Sequence, residues 1–159
     1  MSDSDRKCVL IVDDDPIIQK QLCLALERNF FKPLVASNGE TALALLRERA
    51  IEIVIQDVNL PDMSGLDVIR EAKKIRPDCE IIVITGFGTQ AIAIKSLRLG
   101  AIDYIEKPID LEDLSTALGR AKETVAEKQQ LDYKNTLLVV DDQKSILLTL
   151  CRFLEKEGF

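Results

Sequence analysis

Three aspartates follow apolar runs of the sequence, at positions where their carboxylates could act together. Asp13 and Asp14 follow CVLIV, and Asp57 follows IEIVIQ. Carboxylates that converge raise one another's pKa values unless a cation joins them. Magnesium suits such a group because it prefers oxygen ligands, often one or two carboxylates together with carbonyls, waters and phosphate oxygens. The three residues therefore predict a magnesium site, although VDDD alone would also fit a helix cap with solvated acids.

Two more residues at the ends of predicted strands carry complementary chemistry. Thr85 ends IIVIT, where its hydroxyl could donate to a phosphoryl oxygen, and Lys107 would bring a positive charge to the same edge just before Pro108. Each also has an ordinary interpretation, as a strand-end threonine and as a solvated lysine. The sequence contains no histidine, which removes the usual general base. If phosphoryl transfer occurs, its histidine donor therefore lies on a partner.

Short apolar runs alternate with helical patterns, which predicts an α/β fold with a parallel sheet. Runs such as VLIV and IIVI lack polar alternation, as expected for strands covered by helices on both faces. In a doubly wound five-stranded sheet, the connections from the first and third strands diverge and leave a crevice at their carboxyl ends, where all three aspartates fall. The five predicted strands are Cys8 to Val12, Leu34 to Ala36, Ile53 to Gln56, Ile81 to Ile84 and Asp103 to Glu106.

Local signals place the helices between these strands. Asp15 before Pro16 and Asn38 before Gly39 are typical of helix N-caps, whereas Pro77 and Gly100 mark helix ends. The first and fifth helices carry apolar stripes that we interpret as core-facing, in preference to a dimerising coiled coil for the fifth. The stripes comprise Ile18, Leu22, Ala25 and Leu26 in the first helix, and Leu111, Leu114, Leu118, Ala121 and Val125 in the fifth.

The composition is that of a folded, acidic protein. It is 47% hydrophobic and 30% charged, with a formal net charge of -6, which offers no attraction for nucleic acid or an anionic membrane. The longest apolar runs are far shorter than the roughly 20 residues of a membrane helix, and this predicts a cytoplasmic protein. The four cysteines stand singly, without the spacing of a metal site or a disulfide framework, so we interpret them as reduced packing residues.

The end of the sequence repeats its beginning. KCVLIVDDDPIIQKQLCLALERNFF aligns without gaps to NTLLVVDDQKSILLTLCRFLEKEGF, which pairs Asp13 with Asp141 and Asp14 with Asp142. We expect residues 1–131 to form one complete domain, and residues 132–159 to hold a linker plus the first strand and helix of a second, truncated copy. One strand and one helix cannot build a sheet. Residues 135–159 are therefore expected to mediate a homo-oligomer, with a disordered tail as the alternative.

The sequence resembles the receiver domains of response regulators, from about Lys7 through the helix that ends near Gln130. Five separated motifs agree in order: an acidic pair, a phosphoacceptor aspartate, a hydroxyl residue, an aromatic switch residue and a lysine. They map to Asp13 and Asp14, Asp57, Thr85, Tyr104 and Lys107. The resemblance implies a flavodoxin-like sheet of order 2-1-3-4-5.

The resemblance also implies the chemistry. Asp57 would accept a phosphoryl group from the phosphohistidine of a sensor histidine kinase or a histidine phosphotransfer protein. Mg²⁺ would be bound by Asp13, Asp14, Asp57 and the main-chain carbonyl of Asn59. Such a domain promotes only its own phosphorylation and dephosphorylation and is not otherwise an enzyme.

Further expectations from the family concern switching and lifetime. Thr85 would move toward the phosphoryl group and Tyr104 into the vacated space, which would change the surface made by the fourth helix, fifth strand and fifth helix. Asn59 and Phe87 would flank the phosphoryl group, and the bulky, apolar Phe87 would slow its hydrolysis. The Lys107–Pro108 peptide bond would be cis.

Two alternatives compete with this interpretation. VLIVDDDPI, IIVIT, Lys107 and LLVVDD also resemble, in order, the motifs of haloacid-dehalogenase-type phosphatases, with Asp13 as nucleophile and Asp15 as acid and base. That family favours threonine or valine where Ile17 stands, and the interpretation leaves Asp57 unexplained. The second alternative is a degenerate receiver that acts only as an interaction module, although all the residues for phosphorylation are present.

Overall fold

Strands and helices alternate along the chain, as the apolar runs predicted. The computed structural model describes residues 6–86 and 90–134. Its elements are β1 (Cys8–Val12), α1 (Pro16–Arg28), β2 (Lys32–Ala36), α2 (Gly39–Glu48), β3 (Ile53–Asp57), α3 (Gly65–Ile75), β4 (Glu80–Thr85), α4 (Gln90–Arg98), β5 (Asp103–Glu106) and α5 (Leu111–Lys134). All paired strands are parallel, in the order β2-β1-β3-β4-β5, which confirms the predicted doubly wound sheet.

Three strands are longer than the sequence predicted. β2 begins at Lys32 rather than Leu34 and so includes Pro33, which lacks an amide donor but is tolerated because β2 lies at the edge of the sheet. β3 and β4 extend to Asp57 and Thr85. These two polar residues are therefore held by the sheet itself rather than by the loops that follow.

Helices cover both faces of the sheet and enclose two apolar layers. On one face, α1 and α5 contribute Leu26 and Leu114 to a cluster with strand residues. On the other face, α2 and α3 contribute Leu46 and Ile69 to a second cluster. Apolar burial stabilises a fold by about 25 cal/mol per Å². Burial on both faces offsets the cost of holding charged groups at the edge of the sheet.

The predicted apolar stripes agree with the core except at one residue. Leu22 and Leu26 of α1 are buried, as are most of the predicted residues of α5. Leu111 is the exception, because it is 59% exposed at the first position of α5, where it lines a surface groove with Leu24. The buried residues of the α5 stripe are Leu114, Leu118, Ala121 and Val125, with Ala117 between them.

Contacts within the chain separate two units, Met1–Val125 and Ala126–Phe159. The first contains the whole sheet. The described part of the second is the end of α5, so the domain boundary predicted at residues 131 and 132 falls within this helix. The predicted second repeat lies outside the described residues. Within the described residues, no helix combines the length and apolar character needed to cross a membrane. Cys8, Cys23 and Cys79 are in the reduced form.

The end of α1 holds an aromatic residue in a backbone conformation that favours glycine. Phe30 has a φ of 61°, and the amides of Phe30 and Phe31 donate to the oxygens of Glu27 and Leu26 at 3.1 and 3.0 Å. This is a Schellman motif, whose left-handed position is usually glycine, and the matching residue of the sequence repeat is Gly158. The left-handed conformation costs a residue with a Cβ roughly 1–2 kcal/mol.

We predict that Phe30→Gly raises the free energy of unfolding by about 1 kcal/mol, because it relieves backbone strain and removes a side chain that is 64% exposed. Urea denaturation followed by circular dichroism measures the change. Phe30→Ala is the matched control, since it removes the ring but keeps a Cβ, and it should not stabilise the protein. Equal stabilisation by both variants would contradict the role of strain.

The N-terminus of α2 is capped from two directions. The cap residue Asn38 accepts a hydrogen bond from the Thr41 amide at 2.8 Å. The carboxylate of Asp62, in the loop after β3, accepts hydrogen bonds from the amides of Gly39 and Glu40, each at 2.9 Å. These bonds lower the pKa of Asp62 because they favour its ionised form. They also tie the loop after β3 to the N-terminus of α2.

The lowered pKa of Asp62 makes a prediction about stability and pH. Its ionised carboxylate stabilises the fold above the ordinary pKa of 3.8, and this contribution is lost as the pH falls through the lower value of the folded state. Asp62→Asn should therefore be less stable than the wild type at neutral pH, and the difference should disappear in acid. Denaturation over a pH series checks this, with Asp67→Asn as a control for the loss of an exposed charge. A difference that does not change with pH would contradict it.

Candidate functional site

The three predicted aspartates meet at the carboxyl edge of the sheet. Asp13 and Asp14 follow β1, and Asp57 ends the neighbouring strand β3. One carboxylate oxygen of each residue lies within 4.8 Å of those of the other two. Asp13 and Asp57 are buried, whereas Asp14 is exposed. The group is therefore buried in the protein on one side and open to solvent on the other.

Lys107 reaches this group from the end of β5. Its Nζ lies 2.7 Å from Oδ2 of Asp13 and 3.3 Å from Oδ2 of Asp57. Its main-chain amide donates to the oxygen of Thr85 at 2.9 Å, and the Lys107–Pro108 peptide bond is cis, as the resemblance implied. One lysine is thus shared between two buried carboxylates.

The charges in this group do not balance. Burial raises the pKa of Asp57 and the charge of Asp13 raises it further, while Lys107 lowers it without cancelling these effects. For Lys107, burial disfavours the charged form, but the hydrogen bond with Asp13 and the charges of Asp57 and Asp13 outweigh it, so the pKa of the lysine is raised. Lys107 therefore stays charged. Burial makes the ionised form of Asp57 unfavourable, and a further positive charge nearby would remove that free-energy cost.

This set of oxygens fits a hard divalent cation. Oδ1 of Asp57 is buried and accepts no hydrogen bond from any residue that the structure describes. A buried carboxylate oxygen without a partner is costly, which indicates that a ligand completes the site. Asp14 is open to solvent, so water could fill the remaining coordination positions.

The loop after Asp57 is closed by main-chain contacts. Asn59 pairs with Ser64 in an isolated bridge, and the Gly65 amide donates to the oxygen of Val58 at 2.8 Å. A Cβ on Gly65 would collide with the main-chain oxygen of Asp57, so glycine alone fits this close approach. The closure keeps the exposed Asn59, the remaining predicted ligand, near the end of β3.

The predicted switch residues lie on neighbouring strands. Thr85, the last residue of β4, is fully buried, and Tyr104 of β5 packs against the apolar layer under α2 and α3. The hydroxyl of Tyr104 is buried without a hydrogen-bond partner among the described residues. Burial, together with the charge of Glu106, raises its pKa. Phe87, the predicted tuning residue, lies outside the described residues.

Two residues near the site had no role in the sequence prediction. Nε2 of Gln19 donates to the main-chain oxygen of Asp13 at 2.5 Å and to Oγ of Ser37 at 3.0 Å. Asp62 links the loop after Asp57 to the first two residues of α2. A glutamine on a helix and an aspartate in a loop are ordinary in any sequence, so no local pattern could have distinguished them.

The fold and this arrangement define the class of protein. The response regulator receiver domain family matches residues 9–119, and the chain belongs to this family. Receiver domains act in two-component systems, where histidine kinases phosphorylate them on an aspartate. The predicted family is therefore confirmed.

Individual relatives agree with this assignment. The photosynthetic apparatus regulatory protein RegA of Rhodovulum sulfidophilum is 37% identical over 110 residues, which cover 69% of this chain and 60% of RegA. A CheY-like receiver domain from Methanospirillum hungatei JF-1 has a TM-score of 0.71 at 32% identity, covering 79% of this chain and 98% of that one. A response regulator from Burkholderia pseudomallei has a TM-score of 0.67 at 26% identity, covering 96% of this chain and 86% of that one. It was crystallised with a phosphorylated aspartic acid, calcium ion and citrate. The chain thus spans less than two thirds of the length of RegA.

We predict that Asp57→Asn raises the free energy of unfolding of the metal-free protein by roughly 1 kcal/mol, because it removes a charge that burial disfavours. Added Mg²⁺ should stabilise the wild type by mass action and the variant far less. Thermal denaturation with a chelator and with excess Mg²⁺ measures both effects. Asp67→Asn removes an exposed carboxylate paired with Arg70 and should keep the wild-type response. A wild type that gains no stability from Mg²⁺ would count against the cation site.

Proposed function

We propose that this chain is a phosphoacceptor domain in which Asp57 accepts a phosphoryl group from the phosphohistidine of a sensor histidine kinase or a histidine phosphotransfer protein. The observation that carries the proposal is the buried Asp57 carboxylate, with Oδ2 3.3 Å from Nζ of Lys107 and with Oδ1 free of hydrogen bonds from the described residues. The phosphorylated aspartic acid in the Burkholderia protein supports it. These 159 residues contain no histidine, so the donor histidine lies outside them.

The proposed cofactor is Mg²⁺, held by Asp13, Asp14, Asp57 and the main-chain carbonyl of Asn59. When bound, it would neutralise charge on the carboxylates and on the transferring phosphoryl oxygens. The three converging carboxylates and the partnerless Oδ1 of Asp57 support this choice. The Burkholderia protein was also crystallised with a calcium ion, which is a hard divalent cation.

The chain's own residues would divide the remaining work. Asp57 acts as the nucleophile: its oxygen forms a bond to phosphorus while the bond from phosphorus to the donor imidazole breaks, and the imidazole nitrogen keeps the electron pair. Such a transfer needs alignment and charge neutralisation more than proton transfer, so it proceeds without a general base. Lys107, positioned by its 2.7 Å contact with Asp13, stabilises the negative charge of the phosphoryl oxygens. The Thr85 hydroxyl donates a hydrogen bond to a phosphoryl oxygen of the product.

The proposed readout is a change of surface at α4, β5 and α5. Thr85 is drawn to the phosphoryl group and Tyr104 moves with it. Because the Tyr104 hydroxyl has no hydrogen-bond partner among the described residues, the ring can move without breaking a hydrogen bond. Ile94 and Leu97 of α4 are 43% and 50% exposed, which supports an apolar contact with a partner there. Asn59 and Phe87 would set the lifetime of the phosphoryl group.

The phosphatase alternative has less support. Its acid and base would be Asp15, but the Asp15 carboxylate accepts a hydrogen bond from the Ile17 amide at 2.8 Å and caps α1. The degenerate receiver differs from the proposal only in that it would not be phosphorylated. Oligomerisation through residues 135–159 stays a prediction, because those residues lie outside the described part of the chain, and so does a cytoplasmic location.

Acetyl phosphate with Mg²⁺ tests the proposal without the partner. We expect the wild type to gain the mass of one phosphoryl group, because Asp57 is the carboxylate that faces both the acidic pair and Lys107. Rapid intact-mass measurement should show the gain in the wild type and in the control Asp67→Asn, and its loss in Asp57→Asn. A mass gain that persists in Asp57→Asn and vanishes in Asp13→Asn would favour the phosphatase. No gain in the wild type would favour the degenerate receiver.

A further inference from the structure

Residues 37–40, which are the turn after β2 and the first two residues of α2, bind both the loop after β1 and the loop after β3. Among the described residues, none of those in this turn belongs to the acidic cluster. The turn nevertheless lies between the loop after β1, with Asp13 and Asp14, and the loop after β3, with Asn59. Its contacts therefore bear on how far apart those two loops can move.

Gln19 makes the connection to the loop after β1. One amide nitrogen, Nε2, donates both to the main-chain oxygen of Asp13 at 2.5 Å and to Oγ of Ser37 at 3.0 Å. The Asp13 amide also donates to the oxygen of Ala36 at 3.1 Å. The sequence repeat has Leu147 where Gln19 stands, and a leucine cannot make these bonds.

Asp62 makes the connection to the loop after β3. Its two carboxylate oxygens accept hydrogen bonds from the amides of Gly39 and Glu40, at 2.9 Å each. The surfaces also fit closely, because a Cβ on Gly39 would lie 2.6 Å from Sδ of Met63 and 2.8 Å from Cγ2 of Val68. The turn thus packs against this loop as well as binding it.

We propose that residues 37–40 are a brace, and that Gln19 and Asp62 are positioning residues that act through it. The brace holds the loop after β1, with Asp13 and Asp14, close to the loop after β3, with Asn59, for Mg²⁺. The inference rests on the proposed function. Asp57 is held by β3, but the acidic pair and the Asn59 carbonyl lie in loops. These proposed ligands could move apart if the loops relaxed, and the cation would then have to draw them back. A brace supplies that geometry before the ion arrives, which raises affinity without adding a ligand.

Calorimetric titration of the full chain with Mg²⁺ is the first test. We expect Gln19→Leu, which introduces the residue of the repeat, and Asp62→Asn each to weaken Mg²⁺ binding about tenfold. The double variant should bind about as weakly as either single variant, because breaking either side of the brace frees the loops. Gln21→Leu and Asp67→Asn, the matched controls at exposed positions, should bind like the wild type.

Amide hydrogen exchange without metal is the second test, and it does not depend on the cofactor. The Asp15 amide donates to Oδ1 of Asp13 at 2.9 Å, and the Gly65 amide donates to Val58, so each reports on one loop. We expect Asp62→Asn to speed exchange at Asp15, and Gln19→Leu to speed exchange at Gly65. A residue with only a local structural role would not affect the opposite loop.

The outcomes separate this inference from the proposed function. The brace would be overturned if both single variants kept the wild-type Mg²⁺ affinity, or if the controls lost as much affinity as those variants. It would also be overturned if the loss of affinity in the double variant were the product of the two single losses. Exchange confined to the loop nearest each substitution would also overturn it. A wild type that binds no Mg²⁺ would overturn the proposed metal site, and the exchange measurement alone would then decide whether the brace exists.

Discussion

Nζ of Lys107 lies between the carboxylates of Asp13 and Asp57, at 2.7 and 3.3 Å, where both acids are buried. Removing charges from water costs several kcal/mol per ion unless they are well paired. Here one positive charge serves two negative ones, and Asp14 adds a third at the solvent boundary. The shortage of positive charge gives the site its capacity for a cation. It also explains why Lys107 stays protonated and can face a phosphoryl group.

The sheet order makes this arrangement possible. β1 and β3 are neighbours although β2 lies between them in the sequence, so Asp13 and Asp57 meet at one edge. β5 brings Lys107 from the other side of β4. The loop after β1, with the acidic pair, and the loop after β3, with Asn59, are bound to residues 37–40 by Gln19 and Asp62. The stability needed to keep repelling charges close comes from the apolar layers on both faces of the sheet.

Most of the fold could be predicted because its signals are local. Apolar runs that lack alternation indicated buried strands, and Asp15 and Asn38 indicated helix caps that the structure contains. Features that depend on distant neighbours could not be predicted. Leu111 continues the α5 stripe by spacing, yet it is exposed, because it is the first residue of α5 and lies outside the buried cluster.

The residues of the candidate site also fall into two groups, those with a local sequence signal and those whose contacts depend on distant neighbours. Its acidic residues, Lys107 and Thr85 could be predicted because each ends or follows a predicted strand, and strand ends of a parallel sheet share one edge. The hydrogen bonds of Gln19 and Asp62 cross between loops far apart in sequence, so no spacing indicates them. The left-handed conformation of Phe30 was equally hidden, since an aromatic residue gives no sign of it.

The central claim is that Asp57 is the phosphoacceptor. Reduction with borohydride after incubation with acetyl phosphate and Mg²⁺ tests it most directly, because it converts a phosphorylated aspartate into homoserine and leaves free carboxylates unchanged. Peptide mass mapping then shows which residue carried the phosphoryl group. The account predicts homoserine at position 57 and aspartate at positions 13 and 14. Homoserine at position 13, with position 57 unchanged, would contradict it.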